Sequence, residues 1–400
     1  MTLPRVVLIS RRFWPLFGGA EVAMAELAAG LREAGVEVTL LAAQWEPSWP
    51  REVSHRGVRV VRIPQPHLRF WGTWRYLRGL RSWLQAHRQD FDLVYVSMLK
   101  HDAYEAVRLG RELKFPVIVR VGGAGLTGDV HWQLSANFGR RIRSGCYKAD
   151  AFVAISEAIE RELIVAGYPR QKLHRIPNAV RVPPERTRSQ RDEARAALGE
   201  AHPLLALAQP APVAVYSGRL HAGKGLDTLI EAWQLVAARR PDARLWLVGD
   251  GPERAALWRQ IDAAGLDGRV VLAGAFDSVD DFLAAADLFI LPSLEEGMSR
   301  SLLEAMAAGL PVIASDIPGN RAIVDDETHG LLVPTRDPQA IARAADRLWN
   351  DPELASRLGA AARARVEREF SIPALVRRHL ELFERLLGER AAAAQRHALS

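Results

Sequence analysis

Residues 287–315 run Asp-Leu-Phe-Ile-Leu-Pro-Ser-Leu-Glu-Glu-Gly-Met-Ser-Arg-Ser-Leu-Leu-Glu-Ala-Met-Ala-Ala-Gly-Leu-Pro-Val-Ile-Ala-Ser, and they read as strand, loop, helix, strand. Leu288–Leu291 is a short apolar run that Pro292 ends. Leu302, Leu303, Ala305, Met306 and Ala307 give a helix an apolar face. Gly309 stands where a left-handed helix cap is wanted, and Pro311 opens Val312–Ala314 as the next strand. Glu296 and Glu304 flank the loop and the helix start, seven residues intervening. Such a turn gathers free backbone N–H groups and the positive end of a helix at one spot, which suits an anion. A carboxylate one or two turns further in can accept hydrogen bonds from hydroxyl groups.

The Glu296-x7-Glu304 spacing, set within Pro-Ser-x-x-Glu-Gly and Leu-Glu-Ala-Met-Ala-Ala-Gly-Leu-Pro-Val-Ile-Ala-Ser, resembles the retaining nucleotide-sugar glycosyltransferases of family four, which have the GT-B fold. Two glutamates at this spacing mean little alone; the whole string is much more specific. Upstream, the strand Val213–Ser217 leads into Gly218-Arg219-Leu220-His221-Ala222-Gly223-Lys224-Gly225. A P-loop would need Ser or Thr after Lys224, and position 225 is Gly. The stretch matches the family's Gly-Arg-Leu-x-x-x-Lys-Gly instead. The resemblance implies that Arg219 and Lys224 hold the donor's diphosphate. A guanidinium fork and a mobile ammonium can neutralise a leaving pyrophosphate without a metal. The bland alternative is two cations on a solvated loop.

The strand Arg244–Val248 runs into Gly249-Asp250-Gly251-Pro252, and Val270–Ala273 into Gly274-Ala275-Phe276. Both turns fall at strand carboxyl ends, where open α/β sheets bind ligands. By resemblance Phe276 borders the nucleobase, Glu304 binds the ribose, and Glu296 meets the sugar's hydroxyls with the loop holding Gly297, Met298 and Ser299. Glu296 is not read as a nucleophile. Pro318-Gly319-Asn320-Arg321 is followed by Ala322, where relatives often carry Glu.

The chain opens on the strand Arg5–Ser10, a turn with Gly18 and Gly19, and helical spacing over Glu21–Ala34. That is the opening of a doubly wound fold, with glycines that let the backbone approach a phosphate or sugar. A tight turn without ligand explains the glycines equally well. By resemblance this loop lies beside the donor diphosphate. Val36–Ala42, Val58–Ile63, Leu93–Ser97, Pro116–Val121 and Ala151–Ile155 continue as strands, arguing a parallel sheet covered on both faces. Many relatives carry a histidine just after the strand Pro116–Val121; here Arg120, Val121 and Gly122 occupy that point, within Gly122-Gly123-Ala124-Gly125. His131, Asp129 and His101 are the alternatives nearby, each more readily read as surface or loop. Ile155-Ser156-Glu157 and Ile176-Pro177-Asn178-Ala179-Val180 also match family landmarks, the latter with Ala in place of the usual Gly.

Over Leu68–Arg88, Phe70, Trp74, Leu77, Leu80 and Leu84 recur at helical spacing among five arginines, with Trp71 and Trp83. A basic amphipathic helix with aromatics can lie on an anionic membrane. The favoured reading is a domain helix with a solvated arginine face and its aromatics in the core.

The 400 residues are too many for one ordinary core. The expected domains are 1–180, which binds the acceptor; a linker at 181–212 with a short helix near Asp192–Leu198; 213–370, which binds the nucleotide sugar; and a helix at 371–390 that by resemblance crosses back to the first domain. Residues 389–400 read as a frayed end. With one cysteine, Cys146, there is no disulfide framework, which fits a reducing compartment. No signal peptide and no apolar run of about 18 residues is found, so the expected location is cytoplasmic or peripheral on the inner face of the cell membrane. Net charge is +6, and residues 1–100 hold 14 Lys and Arg against 8 Asp and Glu. No nucleic-acid motif accompanies this excess, so nucleic acid is not an expected partner. Asp90-Phe91-Asp92, the one Asp-x-Asp, precedes a strand and reads as its entry turn, and no metal site or cofactor is expected.

These residues predict an α/β chain of two Rossmann-like doubly wound domains facing a cleft. The resemblance implies metal-independent, retaining transfer from a UDP or GDP sugar to a glycan or lipid-linked acceptor, within cell-surface polysaccharide biosynthesis. In that reading the leaving phosphate takes the acceptor's proton. Two alternatives stay open: a GT-B sugar-nucleotide epimerase, and a non-catalytic nucleotide-sugar-binding protein.

Overall fold

A computed structural model describes residues 3–16, 18–123, 125, 128–207 and 210–398. Ala124 in the glycine-rich stretch, and 399–400 at the end read as frayed, lie outside them. The chain divides into two compact units: Met1–Ala179 with Ile372–Ser400, and Val180–Ser371.

The first unit is built on eight strands: β1 (Arg5–Ile9), β2 (Glu37–Gln44), β3 (Glu52–His55), β4 (Val58–Pro64), β5 (Leu93–Val96), β6 (Val117–Val121), β7 (Ala151–Ala154) and β8 (Leu173–Arg175). Their order is β3-β4-β2-β1-β5-β6-β7-β8. Buried strands such as β5 and β7 carry uninterrupted apolar runs, as a sheet covered on both faces requires. The sequence order reverses between β1 and β5, so their carboxyl ends form a switch point. Asp92 accepts from the Arg5 backbone N–H at 2.7 Å and pairs with the Arg5 guanidinium at 2.9 Å, tying β5 to β1. This is the strand-entry role read for the Asp-x-Asp.

Three expectations change in this unit. The sheet is not wholly parallel: β3 pairs antiparallel with β4 through a turn in which Arg56 and Gly57 have φ of 52° and 75°. Four residues, two exposed and two half-exposed, give β3 too weak an apolar pattern to read from sequence. The Arg69–Ala86 helix buries Tyr76, Leu80 and Leu84, whereas Phe70, Trp71 and Trp74 are 67%, 52% and 48% exposed. Phe70, Trp71 and Trp74 are therefore not in the core as expected. The cause is close packing on the other face, where a Cβ on Gly72 would sit 1.9 Å from the Pro66 carbonyl oxygen. The terminal helix does not fray from 389: it runs Ile372–Ala398, its alanine-rich end has high helix propensity, and Arg390 pairs with Asp150 at 2.9 Å. Its start packs on the Gly19–Glu33 helix, where a Cβ on Gly30 would meet Ile372 at 2.6 Å.

The second unit has six parallel strands: β9 (Val213–Ser217), β10 (Arg244–Val248), β11 (Val270–Gly274), β12 (Leu288–Leu291), β13 (Val312–Ser315) and β14 (Leu331–Val333). Their order is β11-β10-β9-β12-β13-β14, and the reversal falls between β9 and β12. Trp233, Trp246 and Phe289 are fully buried in its core. The helix within residues 181–212 is longer than read, Arg188–Ala201, with a Thr187–Gln190 capping box. Arg191 and Arg195 hold Asp287 at 2.8 Å each, which fixes this segment to the second unit. No described helix is long and apolar enough to cross a membrane.

Candidate active site

The second unit gathers eleven sequence-selected residues on the loops and the helix start that follow β9, β10, β11 and β12, four neighbouring strands. They are Gly218, Arg219, Lys224, Gly249, Gly251, Phe276, Glu296, Gly297, Met298, Ser299 and Glu304. Gly18 and Gly19 belong to the first unit, at the start of the Gly19–Glu33 helix, which has no side-chain N-cap bond.

Backbone bonds stitch the loops together. The Gly218 N–H donates to the Val248 carbonyl at 2.9 Å, Gly249 to Gly274 at 2.7 Å, and Leu220 to Asp250 at 3.0 Å. Contact this close leaves no room for side chains. Gly249 has φ of 140°, and a Cβ there would fall 1.9 Å from the Gly218 carbonyl oxygen. A Cβ on Gly251 would come within 2.2 Å of the Leu220 carbonyl oxygen. Gly225, at φ 62°, lies under the Pro292 carbonyl and brings the β9 and β12 loops together. Leu294 then donates to the Gly223 carbonyl at 2.9 Å.

At the switch point between β9 and β12, Lys224 Nζ donates to Glu296 Oε1 at 2.5 Å. Ser293 Oγ donates to the same oxygen at 2.8 Å. No described residue bonds Oε2, which leaves that oxygen for a ligand hydroxyl. Arg219 is exposed, and its guanidinium has no partner among the described residues. Its carbonyl accepts from the Tyr216 hydroxyl at 3.1 Å, which fixes the backbone under it. Burial, with Glu296 second, pushes Tyr216 upward and keeps that hydroxyl protonated.

Ser299 caps the Arg300–Ala307 helix by accepting from the Leu302 N–H at 3.3 Å. Glu304 accepts from Arg300 Nε at 2.8 Å, half-buried on the second turn of that helix. Met298 packs on the core, and Gly297 faces open space where its Cβ would be. Phe276 is 45% exposed and rests edge-on against Phe282, with ring centroids 4.7 Å apart. Sequence reasoning did not select Tyr216, Ser293 or Gly319. Ser293 was legible as the Ser of Pro-Ser-x-x-Glu-Gly. Gly319 matters because a Cβ there would lie 2.2 Å from the Glu296 carbonyl oxygen, a contact with no local signature. His101, Asp129 and His131 lie in the first unit; Asp129 is buried and receives the Gly122 N–H at 3.4 Å.

This arrangement coincides with known proteins. The model for glycosyl transferases group 1 matches residues 211–351, and that for the glycosyl transferase 4-like domain matches 18–179. The 2-deoxystreptamine N-acetyl-D-glucosaminyltransferase of Streptomyces fradiae is 30% identical over 383 residues, covering 87% of each chain. The lipopolysaccharide core biosynthesis glycosyltransferase LpsE of Rhizobium meliloti is 37% identical over 172 residues, which cover 43% of this chain and 49% of that protein. The chain thus spans about half the length of several of the curated relatives it matches. Among solved structures, Anabaena Alr3699/HepE in complex with UDP and glucose superposes with a TM-score of 0.75 at 19% identity, over 95% of this chain and 99% of that one. The fold is GT-B, two Rossmann-like α/β domains. The chain belongs to the group 1 glycosyltransferase family.

Proposed function

We propose that the protein transfers a sugar from a nucleoside diphosphate donor to a glycan or lipid-linked acceptor, with retention at the anomeric carbon and without a metal. The observation that carries this reading is the cation pair on the β9 loop. Arg219 stands in solvent with no partner among the described residues, and Lys224 is held by Glu296 at the switch point. A diphosphate held by both would have its developing charge neutralised as it leaves. Glu296, through Oε2, takes hydroxyls of the transferred sugar, and Glu304 those of the ribose. Phe276 offers an exposed ring face for the base. Retention follows if the acceptor attacks on the face the diphosphate leaves, its proton passing to the departing phosphate.

UDP is the favoured nucleotide, supported by the nucleotide named for HepE. Cell-surface polysaccharide assembly is the favoured setting, supported by the lipopolysaccharide role named for LpsE. The Arg69–Ala86 helix contains no Asp or Glu and exposes Phe70, Trp71 and Trp74. Trp71 and Trp74 stack at 4.8 Å, and the Arg78 guanidinium lies over Trp74 at 5.4 Å. We take this face to rest on an anionic membrane surface, with the protein peripheral at the inner face of the cell membrane.

The test is thermal stabilisation and hydrolysis against a panel of UDP-, GDP- and ADP-sugars in EDTA. Stabilisation by one donor, with slow release of its nucleoside diphosphate, supports the transferase. Conversion of the donor sugar without nucleotide release would instead mark an epimerase. Absence of any response overturns the reading.

A further inference from the structure

Arg300 opens the Arg300–Ala307 helix, at the position where a cation is least at home. Backbone N–H groups without helical partners and the positive end of the helix dipole meet there. The arginine also pairs forward, its Nε donating to Glu304 Oε1 at 2.8 Å. At a spacing of four the favourable order is glutamate first and cation second, so both charges of this pair oppose the dipole. The same unit follows the rule elsewhere: the Leu226–Arg239 helix has Asp227 in its first turn and Arg239 in its last. The side chains of Arg300 and Glu304 are 23% and 24% exposed. An ion pair that solvent still reaches, and that is set against the dipole, adds little stability. Broken local rules of this kind gather at functional sites.

Ser299, the residue before Arg300, is 4% exposed and caps the helix, so the backbone that carries the arginine is fixed. The two glutamates of the Glu296-x7-Glu304 spacing are held alike. Lys224 and Ser293 donate to Glu296 Oε1, and Arg300 donates to Glu304 Oε1. A planar guanidinium fixes the plane of the carboxylate it meets, which an ammonium cannot do. It also offsets that carboxylate's charge. The offset matters because Glu304 lies on the helix whose N-terminus suits a diphosphate, and an uncompensated carboxylate there would repel one.

We propose that Arg300 is a positioning residue for the donor: it holds the Glu304 carboxylate in the orientation that accepts from the ribose hydroxyls, and it screens that carboxylate from the diphosphate. This rests on the transferase reading, in which Glu304 meets the ribose. Arg300 acts through Glu304, and no bond is made or broken at either.

The test is calorimetric titration of the full chain with UDP, GDP and ADP and with the dideoxyribose analogue of each. The readout is the preference for the ribose form of whichever nucleotide binds. Arg300→Met is expected to cut that preference about tenfold, the loss of one well-oriented bond to a charged acceptor. Arg300→Lys, which keeps the charge without the planar fork, should recover part of it. In a Glu304→Gln background Arg300→Met should change the preference no further. An arginine that touched the phosphates itself would weaken both forms equally when removed. A purely structural one would move the melting temperature and leave the preference unchanged. Either result overturns the proposal. If Arg300→Met does not fold, Arg300→Lys decides: a preference equal to the parent's overturns the proposal. If the preference depends on Arg300 while no nucleotide sugar is hydrolysed, the positioning role stands and the transferase reading falls. If a donor is hydrolysed and the preference is indifferent to Arg300, the proposal falls alone. If none of the three diphosphates binds, both fall.

Discussion

Replacing Asp102 by Asn should stabilise the protein at neutral pH and leave it little changed in acid. Asp102 follows β5 in the first turn of the His101–Glu112 helix, buried, with Oδ1 unpartnered among the described residues. Burial pushes its carboxyl from 3.8 up to about 6, against the pull of Arg11 and Lys100. The folded state thus holds the proton more tightly than the unfolded one. Below pH 3.8 the group contributes nothing; as pH rises toward 6 and beyond, stability falls by roughly 3 kcal/mol, at 1.36 kcal/mol per unit. Between pH 4.5 and 7.5 the loss is roughly 2 kcal/mol. His379 runs the other way: burial lowers it from 6.5 to about 4, so the unfolded chain binds its proton more tightly. Its contribution is complete above pH 6.5 and is lost as pH falls toward 4, again by roughly 3 kcal/mol. The two nearly cancel in the parent chain. In Asp102→Asn the aspartate's term is gone while the histidine's remains, so stability relative to the parent should rise by roughly 2 kcal/mol from pH 4.5 to 7.5. Urea unfolding of both proteins at the two pH values measures this, and groups common to both drop out of the difference. A difference that does not change with pH, or an Asn variant weaker than the parent at pH 7.5, would refute the reasoning.

Gly249→Ala should cost roughly 3–5 kcal/mol, because it combines a positive φ with a Cβ 1.9 Å from a backbone oxygen. Gly297→Ala, with nothing within 4 Å, should stay within about 0.5 kcal/mol; denaturant midpoints of the two compare them directly. Replacing Trp71 and Trp74 together by Ser should abolish sedimentation with phosphatidylglycerol vesicles while donor hydrolysis in solution is unchanged. Equal sedimentation of parent and variant would remove the membrane contact from the account.

What could be read from the sequence follows from how local each feature is. The Leu288–Ser315 segment carried its strand, cap and helix in its own residues, and Gly309 takes the positive φ its place in the pattern required. Likewise Arg219, Lys224 and Glu296 sat in strings specific enough to select. The bond between Lys224 and Glu296 was not legible, since it joins residues 72 apart in sequence and depends on strand order. Phe70 and Trp74 misled because helical spacing records periodicity but not which face the sheet covers. Gly72 and Gly79 show the buried side, where Cβ atoms would strike Pro66 and Ile63. That Arg120 fills the space beside Gly122 was not legible, since it depends on how the chain turns after β6.

The most direct test of the central claim is single-turnover release of nucleoside diphosphate by the parent and by Arg219→Ala, with the donor the panel selects and EDTA present. Arg219 is exposed and bonds nothing among the described residues, so its loss should leave the melting temperature unchanged. The account predicts release slowed about a hundred- to a thousandfold, the loss expected for one charge-stabilising group. Release within about twofold of the parent rate would contradict the account, because the cation pair would then have no part in the departure of the diphosphate.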